Sequence, residues 1–108
     1  MARQDALQGS LPLLVLKLLE RRGPLHGYAL TAQIEGMSNE TLRVEEGSLY
    51  PALHRLEEAG WLDSKWESSE NNRRAKYYTL TKTGTKQLGQ ETAQWNRIAL
   101  AIARALEA

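Results

Sequence analysis

Leucines recur three and four residues apart between Leu11 and Leu19, and the run stops at Arg21, Arg22, Gly23 and Pro24. That spacing places apolar side chains on one face of a helix. Ser10 stands where a cap would, and Pro12 falls in the turn that would follow, so the first helix is expected to begin there. "HGYALTAQIEG" repeats the pattern on a smaller scale, with Leu30 and Ile34 as an i, i+4 pair and Gly36 at the expected end. A third helix is expected in "EEGSLYPALHRLEEAGW", residues 45 to 61, where Leu49, Leu53 and Leu56 share a face and Gly60 closes it.

The period changes after Gly60. "WLDSKWE" and "RRAKYYTL" are rich in Trp, Tyr and Thr at a period near two, and "SSENNR" between them is turn chemistry, which predicts a β-hairpin with a long tip. Tyr77 and Tyr78 should then face opposite ways, with Trp61 and Trp66 in the core or at its edge. Thr81 caps a final helix of about 26 residues, roughly 39 Å long. Along it Leu88, Thr92, Trp95, Ala99, Ile102 and Leu106 alternate four and three apart. So long a helix outruns the core of a small domain, and its stripe calls for a partner.

Helix, helix, helix, hairpin and long helix is the order of a winged helix-turn-helix. The expected fold is mainly α (α+β), with a two-stranded wing and a long C-terminal dimerisation helix. The 108 residues suit one folding unit, divided into a winged helix DNA-binding domain (1–80) and the dimerisation helix (81–108).

Opposite the leucines of the third helix lie Gly47, Ser48, Pro51, His54 and Arg55, with Tyr50 on the flank. With Gly47 or Ser48 as the cap, Pro51 lies near the first turn, where its missing N–H costs little. Such a slim helix end suits close approach to a phosphate, and Tyr50 adds a phenolic hydrogen bond. Arg55, one turn deeper with His54, fits either guanine or a phosphate, and the spacing does not choose between them. The same residues would also serve an ordinary solvent-exposed helix start; the fold context tips the reading toward DNA. Glu45 and Glu46 would repel phosphate, so they are expected to turn aside.

A net charge of +1 neither demands nor excludes nucleic acid; clustering decides. Arg73, Arg74 and Lys76, beside the hairpin tip, form the densest basic cluster, opposed only by Glu67 and Glu70. Other chemistry finds little support. There is no cysteine for a disulfide or a thiol nucleophile, and the two histidines, His26 and His54, have no metal-ligand spacing. "GTKQLGQE" copies the glycine spacing of a P-loop but carries Gln90 and Glu91 where Lys and Ser or Thr belong. No enzyme, cofactor or metal is expected. The apolar run from Leu11 is interrupted by Lys17 and too short for a bilayer, so the expectation is a cytoplasmic protein without a membrane partner.

"LPLLVLKLLERRGPLHGYAL", "VEEGSLYPALHRLEEAGWL" and "SENNRRAKYYTLTKTG", in this order, resemble the PadR family of bacterial transcriptional regulators over residues 9 to about 90. The chain is similar to the short-tailed members, which have a single C-terminal dimerisation helix. The resemblance implies a sequence-specific DNA-binding regulator, a homodimer on a pseudo-palindromic operator, commonly a repressor released by a small-molecule effector. It places Ser48, Tyr50, Pro51 and His54 in the recognition-helix motif, Arg73, Arg74 and Lys76 in the wing, and Tyr28 of "HGY" near the DNA backbone. From the heptads, not from a motif, Leu14, Leu88, Trp95, Ala99, Ile102 and Leu106 are expected to form the dimer seam. Trp95 is the expected seat of a flat aromatic effector, against the plainer reading that it fills the interface. The alternative function is a winged-helix protein–protein interaction adaptor, which near-neutral charge also suits.

Overall fold

The apolar faces of the helices converge on one core in the computed structural model, which describes residues 2–108, with side chains from residue 9 onward. Among these residues the elements are α1 (Ala2–Arg22), β1 (Leu25–His26), α2 (Gly27–Met37), α3 (Glu46–Glu58), β2 (Leu62–Ser68), β3 (Arg74–Leu80) and α4 (Lys82–Glu107). Leu16 and Leu18 of α1, Leu30 and Ile34 of α2, and Leu49 and Leu53 of α3 are fully buried together. The sheet closes one side of this core with Leu62 and Tyr78, and the start of α4 closes another with Leu88. This is the winged helix that the order of elements predicts.

The wing differs in one respect. Its sheet has three strands in the order β1-β3-β2, because Leu25 and His26 pair antiparallel with Tyr78 and Tyr77. A two-residue strand has no period to read in a sequence; only its pairing with Tyr77 and Tyr78, far along the chain, defines it. β2 and β3 pair in register from Leu62↔Leu80 to Ser68↔Arg74. Tyr78 faces the core and Tyr77 the other side of the sheet, where it meets the His26 ring edge-on.

Two helix starts also differ from expectation. α1 begins at Ala2, so Ser10 and Pro12 are interior residues and Ser10 is not its cap. α3 is capped by Glu45 in extended conformation, whose carbonyl accepts from the N–H groups of Ser48 (3.0 Å) and Leu49 (2.9 Å). Gly47 and Ser48 are therefore helical, and Pro51 lies in the second turn. Its missing N–H leaves the Gly47 carbonyl without the usual helical donor, at an exposed residue.

The end of α3, the wing and α4 meet at a tight junction. Trp61 N–H donates to the Leu56 carbonyl and Gly60 N–H to that of Glu57, the two bonds of a Schellman ending, with Gly60 in the left-handed region at φ 84°. Thr81 caps α4 by accepting from Gly84 N–H (2.9 Å) and donates its hydroxyl hydrogen to the Gly60 carbonyl (2.8 Å). Gly84 packs directly beneath the Trp61 carbonyl, and a Cβ there would collide with it. That contact accounts for one of the glycines that mimic a P-loop. α4 then runs along α1 and past the domain, drawing the molecule out to 54 × 29 × 21 Å.

Candidate nucleic-acid interface

Burying Leu49, Ala52, Leu53 and Leu56 fixes the rotation of α3 and so decides which residues it shows to solvent. Gly47, Pro51, His54 and Arg55 are exposed, with Ser48 half-buried beside them. Gly47, Ser48, Pro51 and Arg55 border a shallow hollow with Leu11 of α1. His54 lies further round, its Nε2 3.5 Å from the Glu58 carboxylate. Glu46 sits about a quarter-turn from Gly47, off the outermost row.

Tyr50, on the opposite flank of α3, lies over the start of α2 so closely that a Cβ on Gly27 would strike its phenol. With His26, Gly27 and Tyr28 it forms one wall of a cleft of about 390 Å³, whose other wall is the wing: Trp66, Arg74, Lys76 and the floor residue Tyr78. His26 is held rigidly there, its Nδ1 accepting from Ala29 N–H (3.1 Å) to cap α2. The expected DNA residues thus fall into two neighbouring groups. Gly47, Ser48, Pro51 and Arg55 gather at the hollow, whereas Tyr28, Tyr50, Arg74 and Lys76 gather at the cleft; Arg73 is exposed just ahead of β3.

The wing cations are not equivalent. Lys76 reaches back to α3, where its Nζ lies 3.2 Å from the Glu57 carboxylate. The same carboxylate accepts from the Ser64 hydroxyl at 2.6 Å. The Ser64 hydrogen bond first, and then Lys76, hold the Glu57 carboxyl below its ordinary pKa, against the opposing pull of desolvation. Burial pushes the Tyr78 hydroxyl up. Glu57 thereby ties both wing strands to α3. Arg73 and Arg74 remain exposed, and among the described residues no carboxylate lies within ion-pair distance of either.

Trp66 corrects an expectation. It is 57% exposed, not part of the core or its edge, and it lines the cleft with the Arg74 guanidinium carbon 5.9 Å above its ring. Trp61 does pack against the core, from the loop ahead of β2. Trp66 shares the inward sheet face with Leu62 and Ser64, but the hairpin carries it beyond the helices. Strand alternation gives the face of a residue and not how far the core extends beneath it.

Leu88 of α4 is buried by its own chain, and Leu14 of α1 is half-buried against the same core. Trp95, Ala99, Ile102 and Leu106 are exposed. A hollow of about 180 Å³ between α1 and α4 is lined by Gly9, Ser10, Leu13, Glu91, Gln94, Trp95 and Ile98. Among the described residues no three His, Asp or Glu side chains group in a way that would hold a metal, and no helix is long and apolar enough to cross a membrane.

The sequence profile of the transcriptional regulator PadR-like family matches residues 15–90. The chain belongs to the PadR-like family. Solved structures agree. A transcriptional regulator from Clostridium thermocellum is 29% identical with a TM-score of 0.84, over 93% of this chain and 96% of that one. A PadR family regulator from Eggerthella lenta is 32% identical with a TM-score of 0.78, over 97% and 88%. A PadR-like regulator from Bacillus cereus shares the fold at a TM-score of 0.81, with 24% identity over 96% and 98%. As a PadR-like protein the chain is a transcriptional regulator with a DNA-binding winged helix, and not an enzyme.

Three residues of this PadR-like site escaped sequence reasoning: Glu57, Ser64 and Trp66. Glu57 reads as one more solvated helix acid until the sheet brings Ser64 and Lys76 to it. The only advance signal for Trp66 was a hairpin long enough to leave the core.

Proposed function

We propose that the protein is a homodimeric repressor that places α3 in the major groove of each half of a pseudo-palindromic operator, with the wing on the adjoining backbone. The observation that carries this reading is Gly47. Its φ is not in the left-handed region, and a Cβ built on it meets nothing within 4 Å, so the fold itself has no need of a glycine there. Even in the first turn of a helix, glycine gives up more backbone freedom on folding than alanine would. Close approach of an outside body, such as a DNA strand, gives the missing side chain a use. Ser48, Tyr50, Pro51, His54 and Arg55 extend the contact along α3, with Tyr28 beside it. Arg73, Arg74 and Lys76 add salt-sensitive attraction to phosphates.

The second copy is proposed to cover the stripe Trp95, Ala99, Ile102 and Leu106, with Leu14 and Leu88 continuing the seam into each domain core. Such a seam sets the spacing of the two recognition helices, about 34 Å for half-sites one turn apart. The hollow beside Trp95 is where a small aromatic effector would stack. A ligand that prefers one dimer geometry would thereby shift the DNA affinity. The cytoplasm, where the DNA is, is the proposed compartment.

Selecting duplexes from a random pool and footprinting the winners tests this directly. Two inverted half-sites about one helical turn apart are expected, with affinity that falls steeply as salt rises. Enrichment of a single asymmetric site would break the dimer reading. Salt-independent binding, or none, would turn attention to the adaptor alternative, which leaves the bareness of Gly47 without a use.

A further inference from the structure

Trp66 is a large exposed aromatic side chain that the core does not use. It looks from the wing into the cleft opposite Tyr28 and Tyr50. In the register of the hairpin it has two cationic neighbours, Lys76 directly across and Arg74 on the diagonal. Lys76 is drawn off by Glu57 and lies over the Tyr78 ring, 5.6 Å from its centroid. Arg74 takes the indole instead.

A guanidinium held over a ring differs from an ion-paired one in what it leaves free. The guanidinium carbon stands 5.9 Å from the indole centroid and no carboxylate among the described residues lies within ion-pair distance, so the N–H donors stay available, and their fork matches two oxygens of a phosphate. A carboxylate partner would occupy those same donors. The contact with the ring also narrows the rotamers of a long side chain before any ligand arrives, which lowers the entropy lost on binding. Glu70 is the one acid among the described cleft residues, in a lining that also holds Arg74 and Lys76.

The next step rests on the DNA reading above. With α3 in the major groove and the wing at the adjoining minor groove, the strand that divides the two grooves passes over the cleft between them. We propose that Trp66 is a positioning residue, which holds the Arg74 guanidinium on the cleft wall with its edge outward to grip a phosphate of that strand. Trp66 acts through Arg74, so its contribution is independent of base sequence.

The test is a double-mutant cycle on the full-length protein, reading duplex affinity by fluorescence anisotropy at several salt concentrations. Trp66→Leu keeps apolar bulk on the strand and removes the ring; Trp66→Phe keeps a ring. Arg74→Ala is expected to weaken binding to all duplexes and to lower the salt slope by about one. Trp66→Leu should cost about threefold to tenfold in affinity, and Trp66→Phe should recover most of it. In the Arg74→Ala background, Trp66→Leu should cost nothing more. Losses that add, or a Trp66→Leu variant that binds like the parent, overturn the positioning role while leaving the DNA reading intact. A parent protein that binds no duplex overturns both. Thermal melts guard against a fold effect, and if Trp66→Leu melts early, the Trp66→Phe and Arg74→Lys pair answers the same question: Lys keeps the charge but lacks the fork, so Arg74→Lys should bind less tightly than the parent, and equal binding would sink the proposal.

Discussion

In α3, Leu49, Leu53 and Leu56 repeat four and three apart and all are buried by α1, α2 and the sheet. In α4, Leu88, Trp95, Ile102 and Leu106 follow the same kind of spacing, yet burial by the chain itself ends early: Leu88 is 4% exposed, Ile102 55% and Leu106 82%. An apolar stripe states which face of a helix avoids water; it does not state which chain covers that face. In α3 the answer is internal, and the helix is left with a bare polar row. In α4 a stripe is left over, and a second copy is the proposed cover.

The sharpest way to break this contrast is to damage each stripe in turn. Leu53→Ala should destabilise the fold by about 2–5 kcal/mol, because a fully buried side chain leaves a cavity, and urea unfolding would register it. Ile102→Asp should leave the winged helix folded but give a monomer in sedimentation, with operator affinity lowered about a hundredfold through lost avidity. If Ile102→Asp instead unfolds the domain while Leu53→Ala separates the subunits, the two helices have been assigned the wrong way round.

The glycines offer a smaller version of the same comparison. Gly84→Ala would force a methyl into the Trp61 carbonyl and should cost about 1–3 kcal/mol in thermal or chemical melts. Gly47→Ala should raise fold stability by up to about 1 kcal/mol, since alanine suits a helix better. It should also weaken DNA binding in the same titrations used for Arg74. A stabilised variant with unchanged affinity would remove Gly47 from the contact surface.

The smallest expected effect concerns pH. Glu57 has its pKa lowered in the fold, so its tie to Ser64 and Lys76 adds stability that is fully present above its ordinary value of 4.5 and is lost as pH falls through the lowered value. Replacing it by Gln should lower the melting temperature slightly at neutral pH, where the tie is intact, and little at acid pH, which flattens the acid side of the stability profile. Equal acid slopes for the two proteins would mean that the Glu57 tie contributes little to folding.

Much of this architecture is readable from period alone. The leucine spacing locates α2 and α3, the change to alternation locates the hairpin, and Thr81 correctly starts a helix of 26 residues. The errors share a cause. Ser10 with Pro12, and Gly47 with Ser48, look like local starts, but the preceding residues were free to continue the helix and did. β1 has no local signal at all. At the site, the row from Gly47 to Arg55 followed from the leucines by geometry, whereas Lys76 and Arg74 looked alike until Glu57 claimed one and Trp66 the other.

What the sequence determined by itself is therefore periodic: element types, their order, the inward and outward faces of each helix, and the three motifs of a PadR-like regulator. Those are properties of neighbours three or four, or two, residues apart, and they survive without knowing where any other segment lies. Only the tertiary structure decided that Leu25 and His26 join the sheet, that Trp66 stands clear of the core, and that Glu57 anchors the wing. Each of these depends on distances between residues far apart in the chain, which local spacing does not encode.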